Sequence, residues 1–145
     1  MMATIGKRFS FEAAHKIPWH TSPDGSPGKC SRLHGHSYRG MAYLRGEIDE
    51  KGWVKDFYEM GVDLKSLEGA FDHQYLNERA PFDRAVELSE GRNWTSLDSG
   101  ETFWPTTEHV AAYFLWYLRS QDSRYCKVVI QETDTSEVVV TAEDL

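Results

Sequence analysis

Apolar and polar positions alternate at the start of the chain. Phe9, Phe11, Ala13 and His15 fall on one face of an extended segment, and the pattern predicts a first strand over residues 4–14. A second alternating run over residues 34–48 places Tyr38, Ala42, Leu44 and Ile48 on the face of His34 and His36. Ser37, Arg39, Arg45 and Glu47 lie on the other face. Between the runs, Pro18, Ser22, Pro23, Asp24, Gly25, Ser26, Pro27 and Gly28 mark a loop. Asp49-Glu50-Lys51-Gly52 is a turn, after which Trp53-Val54-Lys55 is expected to resume pairing briefly. The period then changes. Met60, Leu64, Leu67 and Phe71 recur at helical spacing behind Asp56, a suitable cap. Pro105-Thr106-Thr107-Glu108 opens a second helix, with Thr106 as N-cap, Glu108 at the positive end of the dipole, and Ala111, Phe114, Leu115 and Leu118 as the apolar stripe. Residues 124–132 read as a strand with Cys126, Val128, Ile130 and Glu132 on one face. Residues 133–136 turn, and residues 137–141 return as an antiparallel partner. Residues 78–104 show little periodicity and are expected to be an irregular excursion. The order ββααββ gives an α+β fold, an antiparallel four-stranded sheet with both helices on one face. Its open edges favour assembly with other subunits.

The chain has 145 residues, which suits a single domain over residues 1–145. Apolar residues make up 40% and charged residues 27%, an ordinary globular balance. A formal net charge of -7 argues against non-specific nucleic-acid binding, although an anionic small substrate needs only a local basic patch. The two cysteines, Cys30 and Cys126, read as thiols, with Cys126 expected as a small core residue. The first residues lack the apolar stretch of a secretion signal, and no run is long enough to span a membrane, so a soluble cytoplasmic protein is expected.

Chemistry concentrates in Cys30-Ser31-Arg32-Leu33-His34-Gly35-His36. Residues i and i+2 of a strand point the same way, roughly 6–7 Å apart, so His34 and His36 can converge on one ion. His15 closes the first strand and supplies a third imidazole. Three imidazoles with no evident fourth protein ligand suggest a catalytic zinc with one position open. Independent surface or core histidines are the plainer alternative. Cys30 lies between Lys29 and Arg32, whose charges favour the reactive thiolate. Asp72-His73 sits just past a helix end. Neighbouring residues rarely pair with each other, so the useful geometry is each reaching a third group; by themselves the two residues read as a helix-terminal His beside a solvated Asp. Glu132, ending an apolar face, is either exposed at a strand tip or lines a pocket. In a pocket it can accept two parallel hydrogen bonds from a guanidine-like edge. His20 and His109 read as non-ligands, and Trp53, Trp94, Trp104 and Trp116 as packing residues.

Together the motifs Phe11-Glu12-Ala13-Ala14-His15-Lys16, Cys30 to His36, Phe71-Asp72-His73-Gln74-Tyr75-Leu76-Asn77, Pro105 to Glu108 and Glu132-Thr133 resemble the 6-pyruvoyltetrahydropterin synthase family, from Phe9 to Thr141. The three residues between Cys30 and His34 are similar to the bacterial 6-carboxytetrahydropterin synthase branch. The animal-type pyruvoyl branch usually has a longer gap, and Cys30 argues against branches lacking this thiol. Two features depart from the family pattern: the long acidic stretch from Arg79 to Trp104, and His109 where Asn is common.

The resemblance implies a tunnelling fold (T-fold) and a homohexamer of two stacked trimers with active sites between subunits. It implies zinc on His15, His34 and His36, Cys30 as the proton-abstracting base, and Asp72 and His73 tuning a relay. It implies Glu132 anchoring the pterin ring or sharing in the relay, helped by Thr106 and Thr107. The implied reaction converts 7,8-dihydroneopterin triphosphate to 6-carboxy-5,6,7,8-tetrahydropterin, acetaldehyde and triphosphate, on the route to 7-deazaguanines such as queuosine. Lys16, Lys29 and Arg32 cluster beside the motif and are candidates for the triphosphate. Rival readings are a pyruvoyl-type synthase, a non-catalytic zinc-stabilised binding module, and a zinc hydrolase, whose HExxH pattern is absent.

Overall fold

The computed structural model describes residues 1–78 and 104–145. The expected excursion over residues 79–103, with Trp94, lies outside the described residues.

Strands β1 (Met2–His15) and β2 (His34–Glu47) form one long antiparallel hairpin, in unbroken register from Met2 opposite Glu47 to His15 opposite His34. Helix α1 (Phe57–Phe71) starts where predicted. The Asp56 carboxylate accepts from the Tyr58 N–H at 2.8 Å, and the buried stripe is Met60, Leu64, Leu67 and Phe71. Such a cap contributes about 1 kcal/mol. Helix α2 (Thr107–Gln121) is capped by Thr106, whose hydroxyl accepts from the His109 N–H at 3.4 Å. Strands β4 (Tyr125–Thr133) and β5 (Ser136–Thr141) close the chain as a second hairpin.

Among the described residues, the expected four-stranded antiparallel sheet is corrected to five strands in mixed arrangement. A two-residue strand, β3 (Gln74–Tyr75), lies parallel to the outer edge of β1, giving the order β3-β1-β2-β4-β5. Two residues are too few for alternation to be legible. Position comes instead from Glu12, whose N–H donates to Asp72 at 2.8 Å and whose carbonyl accepts from the His73 N–H.

Both helices cover one face of the sheet. The Phe11 ring meets Phe71 of α1 at 5.7 Å and Phe114 of α2 at 5.4 Å, and it stacks on Tyr38 of β2 at 4.7 Å. Each such buried aromatic or aliphatic side chain contributes roughly 1.5–3 kcal/mol of transfer free energy. Gly40 is required here: a Cβ would meet Phe9 Cζ and the Val129 carbonyl oxygen, both at 2.4 Å.

Three packing expectations change. A register shift opposite Tyr43 and Leu44 puts Tyr125, not Cys126, into the core phase of β4. Cys126 is half-buried, its Sγ 3.5 Å from the Tyr43 carbonyl oxygen. Trp53 is 48% exposed and belongs to no strand, whereas Trp116 packs against the core. Among the described residues, no helix is long and apolar enough to cross a membrane.

Candidate functional site

The open end of the β1–β2 hairpin builds the site. His15 is the last residue of β1 and His34 the first of β2, directly opposite each other; His36 lies diagonally across, opposite Ala13. The ring centroids are 4.6 Å (His15–His34), 5.1 Å (His15–His36) and 4.9 Å (His34–His36) apart. One nitrogen from each ring lies within 4.8 Å of the other two, a spacing that can hold a metal ion.

Two of the rings are oriented from behind. His15 Nδ1 lies 2.7 Å from the Pro105 carbonyl oxygen, and His34 Nδ1 lies 2.7 Å from that of Arg32. A carbonyl only accepts, so each Nδ1 carries the proton and each Nε2 keeps its lone pair. Ligating histidines are oriented by such outer partners. The Nε2 atoms of His15 and His36 are buried and have no hydrogen-bond partner among the described residues. Burial, first, holds both rings below the usual histidine range, with nearby imidazoles adding to the effect against the attraction of Glu132. Neutral rings with bare, converging nitrogens are what a zinc site requires, so these residues fit the group.

Glu132 lies in the pocket, not at an exposed tip. Its Oε1 accepts from the Thr107 hydroxyl at 2.9 Å and stands 3.5 Å from Nε2 of both His15 and His36. Together with His15, Cys30, Thr106 and Thr107 it lines a cavity of about 360 Å³. Cys30 is half-buried, in a single 3-10 turn (Lys29–Ser31) that leads toward His34. The site therefore gathers imidazoles, a thiol, a carboxylate and the start of α2.

Other expected residues lie elsewhere. Lys16, Lys29 and Arg32 are exposed and do not line the cavity. Asp72 and His73 do pair directly, against expectation: Asp72 Oδ2 is 2.8 Å from His73 Nδ1. His73 has φ 58°, a left-handed backbone that swings its ring back over the preceding carboxylate. The carboxyl of Asp72 is held below the usual range, chiefly by the Glu12 N–H and then by His73. His73 lines a separate hollow with Glu12, Gly35, His36 and Gln74, and the cavity of Cys30 includes neither Asp72 nor His73.

Sequence reasoning did not single out Trp19, and it read His20 only as a non-ligand of the metal; both line the cavity. The loop that carries them looked irregular, yet it folds into a small hairpin. The Ile17 N–H donates to the Cys30 carbonyl at 2.7 Å, the Gly28 N–H to that of His20 at 2.8 Å, and Thr21 bridges Pro27. The dense turn residues signalled a reversal but not where it would deliver these rings.

Comparison with known proteins adds lineage to this geometry. Residues 4–143 match the family described as 6-pyruvoyl tetrahydropterin synthase. A 6-carboxy-5,6,7,8-tetrahydropterin synthase from Synechocystis is 43% identical over 83 residues, 53% of this chain and 60% of that protein. The chain thus spans about 60% of the length of that relative. One from Haemophilus influenzae is 30% identical over 145 residues, covering 93% of this chain and 96% of that protein. The solved structure of Caenorhabditis elegans 6-pyruvoyl tetrahydropterin synthase superposes with a TM-score of 0.74 at 26% identity, covering 98% of this chain and 96% of that one.

Proposed function

Because this chain belongs to the 6-pyruvoyl tetrahydropterin synthase family, we propose that it is a zinc-dependent 6-carboxy-5,6,7,8-tetrahydropterin synthase. It would convert 7,8-dihydroneopterin triphosphate and water to 6-carboxy-5,6,7,8-tetrahydropterin, acetaldehyde and triphosphate, in the supply of 7-deazaguanines such as queuosine. One observation carries the reading: the bare nitrogens of His15 and His36, with His34, stand beside a cavity that also holds Cys30 and Glu132. Relatives from Synechocystis and Haemophilus influenzae that bear the carboxy name support this branch.

His15, His34 and His36 would hold the zinc, whose chemistry when bound is to lower the pKa of a hydroxyl in its open position. Glu132 would grip the guanidine edge of the pterin by accepting two N–H bonds, with Thr107 fixing the carboxylate. Thr106 would line the same wall at the head of α2. The Cys30 thiolate would take the proton from the substrate's side chain onto Sγ. Electrons then move toward the ring, triphosphate leaves, and the side chain is cut so that one carbon stays as the carboxyl group. Asp72 would orient His73 through Nδ1, leaving the rest of a ring that is 79% exposed to exchange protons. Because neither residue lines the cavity of Cys30 in its own chain, the relay role calls for a neighbouring subunit. A cytoplasmic homohexamer of two trimers, with sites between subunits, is part of this proposal. Lys16, Lys29 and Arg32 are its candidates for the triphosphate.

The likeness to the Caenorhabditis elegans structure favours a second reading, a 6-pyruvoyltetrahydropterin synthase that keeps the whole side chain. Incubating the zinc-loaded protein with 7,8-dihydroneopterin triphosphate separates the two. Acetaldehyde with the carboxylated pterin supports the first reading; 6-pyruvoyltetrahydropterin without acetaldehyde supports the second. Loss of neither triphosphate nor side chain would sink both.

A further inference from the structure

His20 lines the same cavity as Cys30 and Glu132, yet the reaction above gives it nothing to do. It is also absent from the group of imidazoles that can share a metal ion.

Its seat is specific. The Ile17 carbonyl accepts from the His20 N–H at 3.0 Å, and the His20 carbonyl accepts from the Gly28 N–H at 2.8 Å, so the backbone on either side is pinned. The ring lies against Gly28. A Cβ there would fall 2.0 Å from His20 Nδ1 and 2.3 Å from Cε1, so only glycine leaves room for the imidazole.

Among the described residues, that seat gives the ring no hydrogen bond. Nδ1 is buried without a partner. The Gly28 N–H is already committed to the His20 carbonyl, and the Gly28 carbonyl accepts from the Ser31 N–H at 3.0 Å and the Ser31 hydroxyl at 2.6 Å. A buried ring nitrogen left unpaired costs stability. The arrangement is therefore not explained by what the ring does for the hairpin. With no acceptor beside it, Nδ1 is better placed as the unprotonated atom, which puts the proton on Nε2. A neutral imidazole in that tautomer offers a single N–H donor.

We propose that His20 is a ligand-binding residue of this cavity, donating from Nε2 to an oxygen on the side chain of the bound molecule. The inference rests on the pterin reading above. It makes His20 a reader of the side chain, while Glu132 reads the ring.

The test uses the zinc-loaded protein and two non-reacting probes, neopterin, which carries the hydroxylated side chain, and unsubstituted pterin, which does not. Binding is measured by calorimetry for wild type, His20→Ala, His20→Gln and Gly28→Ala. His20→Ala should weaken neopterin binding about tenfold, a factor corresponding to about 1.4 kcal/mol, and leave pterin binding and zinc content unchanged. His20→Gln, which keeps an N–H donor, should recover part of the loss. Gly28→Ala, which displaces the ring, should reproduce it. Equal weakening of both probes, or unchanged neopterin binding in His20→Ala, overturns the inference while leaving the pterin reading standing. A wild-type protein that binds neither probe overturns that reading and the inference with it.

Discussion

His15 Nδ1 donates to the carbonyl oxygen of Pro105 at 2.7 Å, tying the last residue of β1 to the residue that leads into α2. The bond turns the His15 Nε2 lone pair toward His34 and His36 and joins the three imidazoles that could hold a metal ion to the helix that carries Thr107. Replacing His15 by Ala should therefore drop zinc from about one ion per chain to near none, measured by elemental analysis after desalting. Chelation of the wild-type protein should abolish turnover while far-UV circular dichroism stays close to native, because the core of Phe11, Tyr38, Phe71 and Phe114 does not use the ion. Stoichiometric zinc in His15→Ala, or unfolding on chelation, would contradict this placement.

Cys30 sits in a short turn outside the imidazole group, so its removal should separate binding from chemistry. Cys30→Ala should keep full zinc content and bind neopterin normally, yet form no carboxylated pterin above background. Turnover equal to wild type would remove the thiol from the role of base.

Thr107 is 6% exposed, and its hydroxyl holds Glu132 Oε1 at 2.9 Å. Thr107→Val keeps the shape and deletes the donor. A hydrogen bond to a charged group is worth roughly 1.5–3 kcal/mol, so kcat/KM should fall about tenfold or more, with zinc unchanged. Because Glu132 is assigned to the ring, unsubstituted pterin and neopterin should weaken alike in this variant. Selective loss of neopterin would point away from that assignment.

The elements that sequence revealed were those whose signal is periodic and local. The stripe from Met60 to Phe71 repeats over about three turns behind a capping Asp56, and β1 and β2 alternate for long stretches, so both helix and hairpin were legible along with the three histidines at the hairpin's end. What escaped depends on non-local or non-periodic features. Strand β3 is two residues held by the backbone of Glu12. The phase of β4 flips at a register shift, which exchanged Cys126 for Tyr125. The Asp72–His73 pair forms where His73 takes a left-handed backbone, and the His20 ring lies against Gly28, where any Cβ would meet it. Each of these is set by a single residue's conformation or by a contact distant in sequence, where composition and spacing carry no signal.

At the far end of the sheet, Asp122 joins Lys55 and Arg124 in a cluster unconnected to the cavity. Its carboxylate accepts from Arg124 Nε at 3.0 Å, Arg124 Nη2 at 2.8 Å, the Arg124 backbone N–H at 3.1 Å and Lys55 Nζ at 3.2 Å. Lys55 also reaches Asp63 at 3.0 Å, and Asp63 accepts from the buried Tyr125 hydroxyl at 2.8 Å, so the cluster staples α1 to the start of β4. The hydrogen bonds from Arg124, foremost, hold the Asp122 carboxyl far below the usual carboxylate range. The Asp122 side chain is 15% exposed, but Arg124 is 44% exposed, so solvent screens part of the attraction. Asp122→Asn should cost about 1–2 kcal/mol at pH 7, read from urea denaturation. The sign of the pH effect follows from the depressed value: the ionised group stabilises the fold fully above the unfolded carboxylate pKa of about 3.9. That stability is lost as pH falls from there toward the folded value. The gap between wild type and Asp122→Asn should therefore be constant from pH 7 to pH 5 and narrow at pH 3. A gap that stayed the same at pH 3 would show that the variant acts through packing and not through the charge.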